Sequence, residues 1–300
     1  MIASATPTAI TGKSLGASSR QMLFAGPNRA IDRTATLPPI SRRARHTWLP
    51  ILAYKNDPMI NRILEYLGLR AAPRRKGPED IRRIVTRALE DEPPIAPVPV
   101  DEPPPQYQPY RETACNEIYN LLFCDDGRMP IGAMDDSVAT LRAIADDESQ
   151  EGRNRMWAYN LLRAKGEPVP SRILLGTIVE VHMADGLDVL AAFADESVRY
   201  INHSETMGFV EGRVPHLEEH IRILLEVSQL IVNQIGPWTG ARLPPPPKGE
   251  VRTTFLVSDG LYFGQGPYDE LRNDEMGRLV LTAAERLHEA YVTMRLASQS

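Results

Sequence analysis

The 300-residue sequence has few cysteines and no long apolar segment. Two cysteines cannot form the disulfide framework of a small secreted protein, so an apolar core has to hold the fold together. No run approaches the roughly 18 apolar residues that a transmembrane helix needs, and the N-terminus lacks the apolar stretch of a secretory signal. The sequence therefore predicts a protein without a membrane span.

Several signatures of catalysis and metal binding are also missing. There is no Gly-x-Ser-x-Gly nucleophile motif and no zinc-finger spacing. Gly264-Gln265-Gly266 lacks the third glycine of a dinucleotide-binding loop and the lysine of a P-loop, which favours a turn into a helix that begins at Pro267. The apolar share of 42% and the charged share of 24% are those of a globular protein.

Charge is distributed unevenly along the chain. Residues 1–90 contain 16 Lys and Arg against 6 Asp and Glu, whereas residues 91–300 contain 18 against 33. Such asymmetry is typical of an arm that contacts nucleic acid or another acidic surface, and the alternatives are a solvated arm or attraction between the two parts. The candidate phosphate contacts are clustered basic residues: Arg74, Arg75, Lys76, Arg82, Arg83 and Arg87.

The composition divides the chain into four regions. Residues 1–46 are rich in Ala, Ser, Thr and Arg without helical or strand periodicity, which predicts a disordered basic leader. Organelle transit peptides share this composition, but a cytoplasmic location is the preferred interpretation. Residues 47–90 predict a small basic helical unit and residues 111–300 an α+β domain. Between them, residues 91–110 contain eight prolines and predict an extended spacer, with an SH3-like partner as the alternative.

The helical unit carries two amphipathic patterns. In the first, Asp57 and Pro58 suit the start of a helix and Gly68 suits its end. The apolar residues between them recur at helical spacing: Ile60, Ile63, Leu64 and Leu67. A second helix is expected to open near Pro78. Because two short helices bury little surface, the unit is expected to dock on another part of the protein.

The first of these helices carries a resemblance to a known family. Asp57–Leu69 reads DPMINRILEYLGL, and with its surroundings (residues 50–105) it resembles the C-terminal segment of transposases from rolling-circle insertion sequences. In that family a Cys-x-x-Cys zinc motif precedes the segment and a Pro-rich tail follows it. The tail is present here, but the cysteine pair, the catalytic His-x-His and the tyrosine nucleophile have no match upstream. The resemblance implies descent from, or fusion with, a mobile-element segment and does not imply transposase activity.

Residues 111–300 show the clearest periodicity. They predict three helices before residue 166, then a strand over Leu175–Met183 and a hairpin turn at Asp185-Gly186. Further elements are expected in this order: strands near 187–194, 198–203 and 206–211, a helix over 216–235, a strand pair at 251–257 and 261–263, and a final helix. This order predicts an α+β fold, an antiparallel β-meander plus hairpin packed with helices. By analogy of fold with profilin-like sensory modules, the sheet could pack its helices on one face and leave a groove by the hairpins.

A five-residue motif offers the sharpest chemical hypothesis. His216-Leu217-Glu218-Glu219-His220 matches the His-x-x-Glu-His pattern of inverted zinc peptidases. On a helix, His216 and His220 would share Zn²⁺, Glu219 would activate water, and Glu285 or Glu289 would supply a third ligand. The alternative is an exposed polar first turn, in which acidic residues are favoured by the helix dipole.

Two weaker groupings complete the candidates. His182 and His203 with Asp185 and Asp188 could line a pocket beside the hairpin, although surface polar residues are the more usual interpretation. Cys115 and Cys124 are nine residues apart, about 13 Å along one helix, which favours two buried free thiols.

The preferred interpretation is a non-catalytic interaction or ligand-binding protein without a cofactor, whose partner is an unknown protein or small molecule. One alternative is a zinc-dependent hydrolase that uses His216, Glu219 and His220. A second is nucleic-acid binding through residues 1–90. Residues 110–300 are expected to fold alone.

Overall fold

The computed structural model describes residues 63, 66–68, 105–125 and 136–298 of the chain. The predicted leader (1–46) lies outside the described residues, as do most of the predicted helical unit and the spacer up to residue 104. Six helices lie within the described residues 105–125 and 136–298: α1 (Thr113–Leu121), α2 (Val138–Asp146), α3 (Gly152–Ala164), α4 (Pro215–Val232), α5 (Tyr268–Asn273) and α6 (Glu275–Ala297). The strands are β1 (Leu174–Met183), β2 (Gly186–Phe193), β3 (Val198–Ile201), β4 (Met207–Val210), β5 (Glu250–Val257) and β6 (Gly260–Pro267).

All six strands form one antiparallel sheet in the order β4-β3-β2-β1-β5-β6. Strands β1 to β4 are the predicted meander, and the β5–β6 hairpin pairs with the free side of β1. The α+β class is therefore confirmed, with β1 in the interior of the sheet. Strand β6 runs to Pro267, four residues past the predicted Phe263, and includes Gly264-Gln265-Gly266. The predicted helix does follow directly, because α5 begins at Tyr268.

The hairpin turns between β1 and β2 and between β5 and β6 are built alike. Met183 pairs with Gly186, and Val257 pairs with Gly260, so each turn has two loop residues of which the second is an aspartate. The predicted Asp185-Gly186 signal thus marks the turn, but Gly186 is already the first residue of β2. Its φ of +136° is a conformation that residues with a side chain rarely adopt, which explains the glycine.

Apolar cores lie on both faces of the sheet, so the expectation that the helices cover one face is wrong. The long-helix face carries α4 and α6, and its core includes Val179 and Val181 of β1. The short-helix face carries α1, α2 and α3, and its core includes Ile178 of the same strand. Since β1 and β2 have apolar residues at both alternations, both of their faces have to be covered.

The two long helices pack against each other on the long-helix face. Helix α4 begins with Pro215, whose missing N–H costs nothing at a first-turn position. The Asp274 carboxylate caps α6 by accepting hydrogen bonds from the N–H groups of Met276 and Gly277 at 2.9 and 2.7 Å. Among the described helices, none is long and apolar enough to cross a membrane.

Gly208 of β4 packs against Tyr291 of α6. A Cβ atom at this position would lie 1.6 Å from the Tyr291 hydroxyl oxygen, so the helix or the strand would have to move. We expect Gly208→Ala to lower the free energy of unfolding by about 1–3 kcal/mol through overpacking. Urea unfolding followed by circular dichroism measures this. Gly236→Ala is the control, because a Cβ there meets nothing within 4 Å, and an equal loss in both variants would contradict the explanation.

Candidate functional site

Four described residues of the front region form one helical turn, here called the N-terminal turn: Ile63, Tyr66, Leu67 and Gly68. The Leu67 N–H donates to the Ile63 carbonyl oxygen at 2.9 Å, as in a helix. Gly68 follows with a φ of +66°, so the predicted left-handed helix end is confirmed.

The N-terminal turn lies in the core of the long-helix face. Ile63 is 1% exposed and Leu67 is 3% exposed, and both belong to the apolar cluster formed by α4, α6 and the sheet. Two aliphatic side chains four residues apart lie on one side of a helix, so a single helical face enters this core. The boundaries at residues 90 and 111 stay predictions, but the front region and the domain share a core at this point.

Tyr66 connects the turn to both long helices. Its hydroxyl is hydrogen-bonded to Nδ1 of His220 on α4 at 2.6 Å, and the two rings meet edge to face at 5.9 Å. The guanidinium of Arg286 on α6 lies over the Tyr66 ring, 5.5 Å from its centre. One side chain thus contacts a polar group of each helix, which places the turn over the line where α4 and α6 meet. We call this surface the seam.

The seam has a distinct electrostatic character. Burial raises the pKa of Tyr66 above its ordinary value, with Arg286 opposing the shift. Burial, and then the positive charge of Arg286, lower the pKa of His220, whereas Glu219 and Glu289 act in the opposite sense. His220 is therefore held neutral at the contact with Tyr66 at neutral pH.

The side chains of the predicted zinc motif have different surroundings in the structure. His216 is exposed in the first turn of α4, while His220 one turn later bonds Tyr66. Glu219 forms an ion pair with Arg222 at 2.5 Å. The motif residues thus lie on a helix as predicted, but Glu219 and His220 bond different partners and His216 is exposed.

Of the two expected third ligands, Glu285 is held elsewhere. Its carboxylate pairs with Arg272 at 2.9 Å and accepts a hydrogen bond from Tyr268. Within residues 105–125 and 136–298 and the N-terminal turn, no group of three or more His, Cys, Asp or Glu is arranged to hold a metal. The zinc hydrolase stays a prediction, which zinc analysis of the purified chain and of His216→Ala would test.

The hairpin histidines lie on different sides of the sheet. His203 approaches the Asp188 carboxylate twice, through its backbone N–H at 2.5 Å and its ring Nδ1 at 3.0 Å. Burial raises the pKa of Asp188. His182 instead bonds the Pro246 carbonyl oxygen at 2.7 Å. His182 pairs with Leu187 across the hairpin and so shares its face of the sheet, whereas Asp188, the next residue of β2, points to the opposite face. The four predicted residues therefore do not form one pocket.

A buried ion pair lies on the short-helix face of the sheet. Arg252 of β5 donates to both carboxylate oxygens of Glu180 on β1, at 2.6 and 2.9 Å, and to the Pro244 carbonyl oxygen at 2.7 Å. Tyr119 of α1 donates to Glu180 at 2.6 Å. The exposed side-chain fractions are 2% for Arg252 and 0% for Glu180. This pair joins two strands, a helix and the connection between α4 and β5.

Another buried arginine binds residues around the end of α1. Arg242 donates through Nε to Asp125 at 2.6 Å and through Nη2 to the Pro105 carbonyl oxygen at 2.7 Å and to Asn120 at 3.0 Å. Its guanidinium stacks over Phe123 at 4.3 Å. Arg242 thereby ties residues at the end of the predicted proline spacer to the domain.

Sequence reasoning missed the burial of Arg242 and Arg252 and the role of Tyr66. Glu180 and Arg252 stand among apolar residues of strands, and an opposite-charge pair at strand positions was the available signal. No local pattern relates Tyr66 to His220, because 154 residues separate them.

The remaining sequence candidates are the two cysteines and the basic residues of the front region. Cys115 and Cys124 are free and buried, as predicted, and burial raises the pKa of both thiols. The basic candidates for nucleic-acid contact lie outside the described residues: Arg74, Arg75, Lys76, Arg82, Arg83 and Arg87.

Comparisons of this chain with protein-family models, with curated proteins and with solved structures find no match.

Proposed function

We propose that this chain is a non-catalytic interaction protein whose seam between α4 and α6 binds an amphipathic helix. The observation that carries the proposal is the near-complete burial of Ile63 and Leu67, four residues apart, in the core of the two long helices. This is the helix-in-groove mode of peptide recognition, in which aliphatic anchors at i and i+4 enter an apolar surface.

The polar contacts of the seam define the partner. Tyr66 stands at i+3 relative to Ile63 and meets His220 on one helix and Arg286 on the other. A partner of matching chemistry is a helix with aliphatic residues at i and i+4 and a tyrosine at i+3. In the resting protein the chain's own turn takes this place.

Covalent connection favours docking of the chain's own turn over binding of a separate partner helix. Residues 69–104, a stretch of 36, connect the N-terminal turn to the described domain. Because the turn and the seam belong to one chain, docking is intramolecular, and a tethered segment of this kind competes at an effective concentration on the order of millimolar. A free helix therefore competes poorly until the internal turn is weakened.

Peptide binding to an opened protein tests the proposal. The probe is a fluorescein-labelled peptide of residues 57–69, and the opened protein is the full chain with Ile63→Ser and Leu67→Ser. We expect fluorescence anisotropy to show that the opened protein binds the peptide more tightly than the wild type, by a factor on the order of 10². Far-ultraviolet circular dichroism should show that the opened protein keeps its sheet and helices.

Matched controls make the result specific. A peptide with the same two serines should bind neither protein, and the full chain with Leu296→Ser, at an exposed position of α6, should behave like the wild type. An opened protein that folds without binding the peptide, or one that unfolds, would refute the proposal, since the turn would then be ordinary core.

A further inference from the structure

Strand β4 lies at one edge of the sheet, where β3 is its only neighbouring strand among the described residues. The hydrogen bonds of an antiparallel pair alternate along the strands, so one bonded position fixes the others. Just beyond the β3–β4 ladder, the Asn202 N–H donates to the Thr206 carbonyl oxygen at 3.1 Å. Counting on from this position, Gly208 and Val210 direct their N–H and carbonyl groups towards β3.

The outer edge of β4 is therefore a row of backbone groups that face away from the sheet. It comprises the N–H and carbonyl groups of Met207 and Phe209, and no backbone group of the described residues bonds them. Such a row is a template on which another strand can pair. The opposite edge of the sheet differs, because the Trp238 N–H donates to the Leu261 carbonyl oxygen of β6 at 2.6 Å.

Phe209 adds an exposed aromatic surface to this edge. It is 45% exposed, and among the described residues Leu296 is the only other large apolar side chain exposed to this degree. The Arg199 guanidinium lies over the Phe209 ring, 5.6 Å from its centre, on the short-helix face of the sheet. On the long-helix face, Gly208 packs against Tyr291 of α6. A strand added beside β4 would thus gain an aromatic contact on the short-helix face.

We propose that β4 pairs antiparallel with β4 of a second copy, which joins two six-stranded sheets into one. The two-fold axis passes beside Phe209, so that the N–H of each Phe209 donates to the carbonyl oxygen of the other. The contact is isologous and closes at two copies, because each copy uses its β4 edge once. This surface is a strand edge and not the seam, so the proposal goes beyond the proposed function.

Charge disfavours the neighbouring registers. With Gly208 on the axis, Glu211 of one copy would face Glu205 of the other. With Glu211 on the axis, two Glu211 carboxylates would be directly opposite each other, which is destabilising. Phe209 on the axis avoids both contacts and places the two Phe209 rings opposite each other, as an aromatic cross-strand pair.

The same register brings opposite charges together at the ends of the contact. Glu205 of one copy falls opposite Arg213 of the other, because both lie four residues from Phe209. The Arg213 side chain is 77% exposed. The Glu205 carboxylate pairs with Arg111 at 3.0 Å within one copy, and Arg213 of the second copy would share it. Two such contacts, related by the two-fold axis, flank the paired strands.

Sedimentation velocity of the full chain tests the proposal. Because the contact is small, we expect a weak dimer, with the mean mass rising towards twice that of the monomer between about 5 µM and about 500 µM protein. Phe209→Lys should weaken the dimer at least about tenfold, because two lysines would lie opposite each other at the axis. Leu296→Lys, at the other exposed apolar position, should dimerise like the wild type.

Amide hydrogen exchange identifies the strand that pairs. Over the same range of protein concentration, the outward N–H groups of Met207 and Phe209 should gain protection by about threefold or more. The N–H groups of Gly208 and Val210 already bond β3 and should change less. Met207→Pro removes one outward donor without removing a bond to β3, which is the position that proline tolerates in an edge strand, and it should also weaken the dimer.

The possible outcomes separate the second copy from other occupants of the edge. A chain that stays monomeric over the whole range would overturn the proposal and would leave the edge to a strand of another protein. A dimer of wild-type strength in Phe209→Lys and Met207→Pro would overturn it as well, because another surface would then join the copies. If circular dichroism shows that neither variant folds, the alternating protection in the wild-type chain decides: equal changes at Gly208 and Phe209 would contradict pairing through β4.

Discussion

Glu180→Gln should be the most damaging single substitution in the sheet. The change keeps the shape of the side chain but leaves the Arg252 guanidinium buried without a countercharge. Breaking one partner of a buried ion pair costs about 3–5 kcal/mol, so we expect a loss of this size in the free energy of unfolding. Urea unfolding of the full chain measures it, with an unchanged slope against urea showing that the loss is in stability.

Two comparisons assign the loss to the buried charge. Glu167→Gln removes the partner of Arg142 in a half-exposed pair, and we expect a change of about 0–1 kcal/mol. The double variant Glu180→Leu with Arg252→Met removes both charges and should be more stable than Glu180→Gln. A double variant that is as unstable as the single one would contradict the charge explanation and would indicate a packing defect.

Leu67→Ala should lower the free energy of unfolding, although Leu67 lies more than 100 residues before α4 and α6 in the sequence. The leucine is 3% exposed in the core of the long-helix face, and truncating a buried leucine costs about 2–5 kcal/mol. If the turn docks as a separable helix, the loss in unfolding free energy cannot exceed the free energy of docking. Once docking is abolished, further truncation of the turn costs nothing, because the domain unfolds with the turn already undocked. Urea unfolding of Leu67→Ala, alone and combined with Ile63→Ala, measures both the loss and its limit.

The control for this series is Leu296→Ala on α6. Leu296 is 58% exposed, so its truncation should change the unfolding free energy by less than about 0.5 kcal/mol. No loss in Leu67→Ala would mean that the front region contributes nothing to the domain. Such a result would instead favour the prediction that residues 110–300 fold alone, with no contribution from the N-terminal turn.

The order of elements was predictable because each has its own local periodicity. The alternation from Leu175 to Met183 and the apolar stripe of α4 are readable from neighbouring residues, and the hairpins carry Asp-Gly signals. The layering was not predictable in this way. An interior strand such as β1 is covered on both faces, and the strand pattern does not state which helix covers which face.

The candidate site was predictable only in its parts. The end of the first helix at Gly68 follows from glycine's conformational freedom, and the helical placement of His216 and His220 follows from their spacing. The contact of Tyr66 with His220 depends on how a remote segment packs against α4, which no local rule contains. The zinc hypothesis rested on the same histidine, whose ring nitrogen is bonded to a tyrosine in the folded chain. The transposase resemblance stays a prediction, and it covers the segment that carries the N-terminal turn.

The separable docking of the N-terminal turn is tested most directly by hydrogen exchange at the Leu67 amide of the full chain at pH 7.5. We predict protection that is clearly above that of an unstructured peptide but below that of the interior amides of β1, because the turn opens without unfolding the sheet. Unlabelled peptide of residues 57–69, added well above the roughly millimolar effective concentration of the tethered turn, should lower the protection further by occupying the seam. Protection equal to that of β1 and unaffected by the peptide, or no protection at all, would contradict the account.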